Sequence, residues 1–207
     1  MISDYYEQYA LNRGYRFIAG VDEAGRGPLA GPVVAAAVIF PFDLNSGSEY
    51  LLGLGINDSK KLSPRKREAI SVNIFRNAIS TGLGIVWTNG IEQFNIHVAA
   101  HKAMISAVSK LMPAPDFLLI DGPFKLSCNI EQIPVIKGDS LSVSVAAASI
   151  VAKVARDKIM DGYNRIFSAY GFDKNRGYGT PLHLEAIKKH GHSSIHRVSF
   201  KGVREYV

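Results

Sequence analysis

One cysteine in 207 residues, Cys128, excludes an internal disulfide and fits a reducing compartment. With no redox or metal partner near it in sequence, Cys128 reads as a small, half-buried filler. No apolar stretch is long enough to span a bilayer. The segment Met1-Ile-Ser-Asp-Tyr-Tyr-Glu7 lacks the basic-then-apolar order of a signal peptide, so a cytoplasmic, non-membrane protein is expected. There is no Gly-Lys-Ser/Thr, which excludes a phosphate loop. Repeats, low-complexity segments and linkers are also missing. A single domain over residues 1–207 follows, and its 47% apolar content supplies a core, excluding a disordered or fibrous chain.

The net charge is +6, and all of it lies in residues 153–207, which hold 11 Lys/Arg against 5 Asp/Glu; residues 1–152 balance at 13 of each. A basic C-terminal quarter suits a polyanion. Its plain alternative is a solvated basic surface.

Periodicity predicts a short amphipathic helix within residues 1–14, its apolar side on Tyr6, Tyr9 and Ala10. Tyr15–Val21 and Val33–Phe40 read as strands able to form a hairpin through the turn at Gly25–Pro32. Residues 41–55 read as a polar loop. Ser63 caps a helix with Pro64 at its first position, running to about Thr81-Gly82 with Ile70, Ile74, Phe75, Ala78 and Ile79 on one face. A strand follows at Leu83–Trp87, where the lone tryptophan is expected in the core. Asn95 caps a helix to about Leu111, and strands are predicted at Phe117–Asp121 and Ile133–Lys137. A long helix runs from about Ser142 to Ile166, apolar almost all round in its first half, and a last one covers Pro181–His190. Strands interleaved with helices make an α/β fold with a mixed sheet.

The stretch Gly20-Val-Asp-Glu-Ala-Gly-Arg-Gly-Pro-Leu-Ala-Gly31 is the most informative. Two carboxylates, Asp22 and Glu23, close an apolar strand, and glycines at 25, 27 and 31 let the backbone approach a ligand. Charges in such a place need a partner or a metal. Adjacent strand residues face opposite sides, so these two share a site only where the strand ends or twists. Asp121 and Asp139 also follow short apolar runs, and strand ends are where open α/β sheets place their chemistry. Each is alternatively an Asx-type turn residue beside glycine. Together, four carboxylates without histidine or cysteine form a hard oxygen site suited to Mg²⁺ or Mn²⁺ rather than zinc. The glycines do not match a dinucleotide fingerprint: Gly25-Arg-Gly27 is followed by Gly31, and Pro28 and Pro32 oppose a helix there.

Taken together, Asp22-Glu-Ala-Gly-Arg-Gly27, Asp58-Ser-Lys-Lys-Leu62, Asp121-Gly122 and Lys137-Gly-Asp139 closely resemble the bacterial type 2 ribonucleases H (ribonuclease HII). The likeness continues through Ala146–Lys153 and Gly177-Tyr-Gly-Thr-Pro181 to His196-Arg197, spanning roughly residues 15–200. It implies a five-stranded mixed sheet flanked by helices, with a small basic helical C-terminal region at about residues 170–207. It implies that Asp22, Glu23, Asp121 and Asp139 are the catalytic, metal-binding acids of a two-metal site. By the same likeness the backbone of Gly25-Arg26-Gly27 contacts a ribonucleotide 2′-hydroxyl, and Tyr163 packs against a sugar beyond the scissile phosphate. The implied substrates are RNA–DNA hybrids and duplex DNA containing single ribonucleotides, cut 5′ to the ribonucleotide to leave a 3′-hydroxyl and a 5′-phosphate.

Ser59, Lys60 and Lys61, with Arg65, Lys66 and Arg67, form the densest basic cluster, at a helix N-terminus that attracts phosphate. Lys153, Arg156, Lys158 and Arg165 read as a second basic track. His183, His190, His192 and His196, in a Lys-rich setting with no cysteine, read as nucleic-acid contacts or caps rather than a zinc set. The final residues lack the glutamine-plus-paired-aromatics segment that binds a sliding clamp, so no clamp partner is expected, and a monomer is. Competing readings are a non-catalytic binder of RNA–DNA hybrid and a small-molecule phosphotransferase. Concentrated negative charge opposes the first, and the missing phosphate loop the second.

Overall fold

A run of β-branched residues and alanines without one polar side chain, Val33–Ile39, folds as strand β2 and is buried on both faces. Each of its valines and its isoleucine contributes about 1.5–3 kcal/mol by leaving water. In this computed structural model, which describes residues 2–42 and 49–207, β2 lies inside a five-stranded sheet. Its neighbours are β1 (Ile18–Ala24) and β3 (Ser80–Val86), both antiparallel to it. Beyond β1 come β4 (Phe117–Asp121) and β5 (Glu131–Val135), paired in parallel, giving the order β3-β2-β1-β4-β5. The predicted mixed sheet is therefore present, and β1 and β2 form the expected hairpin.

Helices cover both faces. On one side α5 (Ile96–Val108) packs its alanine-rich stripe with Ala19, Val21, Leu118 and Ile120. On the other α6 (Val143–Ile166) crosses β1 and β2, with α3 (Pro64–Asn77) outside it. The approach of α6 is close: a Cβ on Gly20 would fall on the backbone of Ser144, so only glycine fits. Predicted caps are made as read: Ser63 accepts from Lys66 N, and Asn95 from His97 N and Val98 N; Ser142, near which the long helix was expected to begin, also caps it, accepting from Val145 N. A third cluster joins α7 (Phe172–Asn175) and α8 (Pro181–His190) to Leu29, Ala30 and Met160.

Several boundaries differ from expectation. Strand β1 begins three residues later than predicted and runs through Ala24, so Asp22 and Glu23 are paired strand residues, opposite Ala36 and Ala35. Helix α3 stops at Asn77 because Ile79 N donates to Ile39 O and the chain turns into β3. Phe75 and Ile79, placed on its buried face, are exposed. The stretch read as a loop at 41–55 contains a short helix, α2 (Glu49–Gly53); part of that loop lies outside the described residues. A helix not foreseen, α4 (Thr88–Phe94), starts at Trp87, which is 48% exposed rather than in the core. In α1 (Tyr5–Leu11), Tyr9 is exposed and the buried side is Ala10 and Glu7. Glu7 Oε1 accepts from Ser142 Oγ, Ser144 Oγ and Ser144 N at the start of α6, and burial pushes its pKa up. Among the described residues, no helix is long and apolar enough to cross a membrane.

Candidate active site

Alternation along β1 decides where the acids point. Ala19 and Val21 face α5, so Glu23 does too; Gly20 faces α6, and Asp22 with it. The two adjacent carboxylates therefore straddle the end of the sheet. Asp121 closes β4, next to β1, and Asp139 stands in the 3-10 turn Gly138–Ser140 after β5, not at a strand end as expected. Left-handed Lys137 (φ 60°) turns the chain there, and Asp139 N donates to Asp121 Oδ1 at 3.4 Å.

Asp22, Glu23, Asp121 and Asp139 line one cleft of about 240 Å³ with Gly25–Gly27, Ser59, Lys60, Ser149, Lys153 and Tyr178. Burial raises the pKa of Asp22 well above the carboxylate range, reinforced by the charges of Glu23 and Asp121 and opposed by a hydrogen bond from Ser149. Burial also raises Glu23, against the pull of Arg26. Asp121 rises through burial and the charge of Asp139. Two cations answer part of this charge: Arg26 Nη1 lies 3.2 Å from Glu23 Oε1, and Lys60 Nζ 2.9 Å from Asp139 Oδ2. Among the described residues, no three such groups converge closely enough to hold an ion as they stand. The donor set nevertheless fits a divalent cation: four hard oxygen ligands, with three carboxylates pushed toward protonation for want of positive charge. Glu23 and Asp139 would exchange Arg26 and Lys60 for it.

The wall opposite is the Gly25–Pro32 turn, held from behind by two completely buried arginines that make no ion pair with a carboxylate among the described residues. Arg197 donates to Gly25 O at 2.6 Å, Arg26 O at 3.0 Å and Gly31 O at 2.9 and 3.1 Å. Arg156 donates to Pro32 O, Ala30 O and Arg176 O. The C=O and N–H of a trans peptide point opposite ways, so drawing the carbonyls of residues 25 and 26 backward turns the N–H groups of Arg26 and Gly27 toward the cleft. Gly25 has φ 100°, and a Cβ there would strike the Arg156 side chain, so glycine is required.

The remaining sequence candidates divide. Ser59 is buried and reaches the acids indirectly, its Oγ 3.0 Å from Ser149 Oγ. Lys60 is at the cleft; Lys61 and Arg165 are exposed and away from it. Tyr163 is also away from it, half-buried on α6 between Trp87 and Phe167. Tyr178 stands in the cleft instead, beside Gly27 and 44% exposed, with Lys153 Nζ 5.8 Å from its ring. Its sequence signal is an aromatic between two glycines, Gly177 and Gly179. Part of the basic tracks is spent inside the protein, where Arg67 binds Ser59 O and Leu62 O and Arg156 is buried, while Lys158 pairs with Glu68 on the surface. Two histidines read as surface contacts are buried. His183 Nδ1 lies 2.8 Å from Tyr178 O, His183 Nε2 3.0 Å from His196 Nε2, and His196 Nδ1 accepts from Ser193 N. Only neutral rings with one direction of donation satisfy that chain, and it tethers the backbone of Tyr178.

Comparison with known proteins identifies the family and the fold. The family model described as Ribonuclease HII matches residues 19–203. A Ribonuclease HII from Syntrophus aciditrophicus is 53% identical over 198 residues, covering 96% of this chain and 90% of that one. The ribonuclease H2 structure from Pyrococcus horikoshii superposes with a TM-score of 0.78 at 26% identity, covering 91% of this chain and 96% of that one. The RNase HII of Archaeoglobus fulgidus, solved in complex with PCNA, gives 0.75 at 26% identity, covering 89% and 95%. The chain belongs to the ribonuclease HII family and is a metal-dependent ribonuclease H.

Proposed function

Starting from that membership, we propose that the protein hydrolyses the phosphodiester 5′ to a ribonucleotide, in RNA–DNA hybrids and at single ribonucleotides within duplex DNA. One observation carries the reading: the four carboxylates share one cleft with the Gly25–Gly27 turn, whose carbonyls at 25 and 26 are engaged by buried Arg197. The acids mark where the phosphate reacts, and the N–H groups of Arg26 and Gly27 stand where a 2′-hydroxyl would accept from them, which separates RNA from DNA at one position.

Asp22, Glu23, Asp121 and Asp139 would hold two divalent cations, Mg²⁺ or Mn²⁺, which when bound supply an activated water and stabilise the leaving oxygen. The chain's own groups do the rest. Arg197 and Arg156 fix the turn that reads the ribose. Tyr178 offers its open ring face to the next sugar, the role the family likeness had placed on Tyr163. Lys60 and Lys153 present ammonium groups to phosphate oxygens. Water adds to phosphorus, the bond to the 3′-oxygen breaks, and a 3′-hydroxyl and a 5′-phosphate result. The complex of the archaeal relative with PCNA means that the expectation of no sliding-clamp partner is not carried further.

The test is a labelled DNA duplex with one ribonucleotide, incubated with Mg²⁺, Mn²⁺ or chelator beside all-DNA and RNA:DNA duplexes. Metal-dependent nicking 5′ of the ribonucleotide, with the all-DNA duplex intact, is expected. Cutting of the hybrid alone would remove the single-ribonucleotide specificity. Binding without cutting under any metal would favour the non-catalytic binder.

A further inference from the structure

A second cleft of about 120 Å³ lies on the α5 side of the same strand ends, lined by His97, His101 and Phe124 and sharing Glu23, Arg26 and Asp121 with the first. The two clefts flank one edge of the sheet, the first against α6 and the second against α5. A nucleic-acid strand that lays its ribose against Gly25–Gly27 must cross the ends of β1 and β4 to continue, and it then enters the second cleft.

We propose that this α5-side cleft is the subsite for the nucleotide on the 5′ side of the scissile bond, with Arg26, His97 and His101 receiving its phosphate and Phe124 its sugar. The inference rests on the reading above, which places the ribonucleotide in the α6-side cleft. Arg26 divides the two spaces: Nη1 holds Glu23, and Nη2 lies 2.9 Å from His97 Nδ1. A guanidinium only donates, so His97 Nδ1 is the acceptor and the ring carries its proton on Nε2, on the side away from Arg26. His101, one turn further along α5, is half-buried, its ring centroid 6.4 Å from that of Phe124. Burial, then Arg26 and His97, lower its pKa, keeping it a neutral donor. Phe124 is 64% exposed directly after Asp121-Gly122-Pro123, an apolar face with nucleic acid as its natural cover. The cleft thus offers one fixed positive charge, imidazole N–H donors and an aromatic face, the complement of a nucleotide monophosphate unit.

The experiment pairs protein and substrate changes. The single-ribonucleotide duplex is made with a neutral methylphosphonate at the phosphate next on the 5′ side of the scissile one. Wild-type protein and the His97→Ala/His101→Ala variant are assayed on both duplexes with Mg²⁺, and His101→Gln alone is included in case the double variant folds poorly. Neutralising the phosphate is expected to lower wild-type kcat/KM about tenfold or more. The double variant should lose a similar factor on the ordinary duplex, mostly in KM, and little further on the neutral one. Losses that simply multiply, or a wild type indifferent to the methylphosphonate, would overturn the subsite and leave the nuclease reading standing. A wild type that cuts neither duplex overturns both.

Discussion

The two sides of the Gly25–Pro32 turn carry opposite charge excesses. In front, Asp22, Glu23, Asp121 and Asp139 crowd together with only Arg26 and Lys60 as direct partners. Behind, Arg156 and Arg197 are buried and bonded to main-chain carbonyls, with no direct ion pair to a carboxylate among the described residues. Pairing acids with arginines would neutralise both, but would close the site. Keeping them apart across one layer of backbone orients the peptides between them, oxygens toward the arginines and N–H groups toward the acids. The front is built to accept a cation and the back to need none. Burial lowers the pKa of Arg197 to about 9, which still leaves it charged at neutral pH.

The strongest way to break this contrast is at the front. Asp121→Asn should lower kcat by about 10³-fold, since several kcal/mol of charge stabilisation depend on the acid cluster. Binding of the ribonucleotide duplex should be retained, as anisotropy would show. At the back, Arg197→Ala leaves the carbonyls of Gly25, Arg26 and Gly31 without this donor. At about 1–3 kcal/mol for each buried unpaired group, denaturant unfolding should report a loss of roughly 3 kcal/mol or more. The same variant should discriminate less between ribonucleotide-containing and all-DNA duplexes, while Asp121→Asn would leave stability intact or improved.

The contrast sharpens with pH in metal-free protein. Folding lowers the His196 pKa from 6.5 to about 4, so between those values the unfolded chain takes up a proton that the native chain refuses. Stability should therefore fall as pH drops from 6.5 toward 4, by up to about 3 kcal/mol. His196→Gln, able to accept from Ser193 and donate to His183, should flatten that slope. The front acids work the other way. Asp22, Glu23 and Asp121, whose folded pKa values are raised, bind protons first in the native state, so acidification through their range stabilises it. Asp22→Asn should remove that gain and raise Tm at neutral pH in chelator. The smallest effect is expected at the exposed pair Lys158–Glu68: Lys158→Ala should change stability by about 0.5 kcal/mol or less and leave cleavage unaltered.

How much of this was legible depended on range. Strand β2, the caps at Ser63 and Asn95 and the long α6 were readable because local pattern and burial agree there. That the four acids would be gathered together was readable, since each follows an apolar run, and they do line one cleft. The roles of Arg67, Arg156, His183 and His196 were not, because a buried polar side chain looks like a surface one until its distant acceptor is known. Tyr163 and Tyr178 differ in the same way: both precede basic or glycine-rich sequence, but only the second is brought beside Gly27 by the tether from His183. Trp87 defeated the rule that a lone tryptophan is core, because it begins a helix at the sheet's edge.

The sheet order also bears on how the protein comes into being. Strands β1, β2 and β3 join neighbours along the chain, and they carry only two of the acids. Pairing β1 with β4 links Ile18 to Phe117 and delivers Asp121, with Asp139 following. Contacts of such long sequence separation are the slow ones. Repulsion is thus limited to Asp22 and Glu23 while the β1–β2 hairpin forms, and the full crowding of carboxylates arises only as β4 and the turn after β5 dock. Crowding of charge weighs on the lifetime of the finished protein more than on the speed of reaching it. A chain that ends before β4 carries only Asp22 and Glu23 of the four acids.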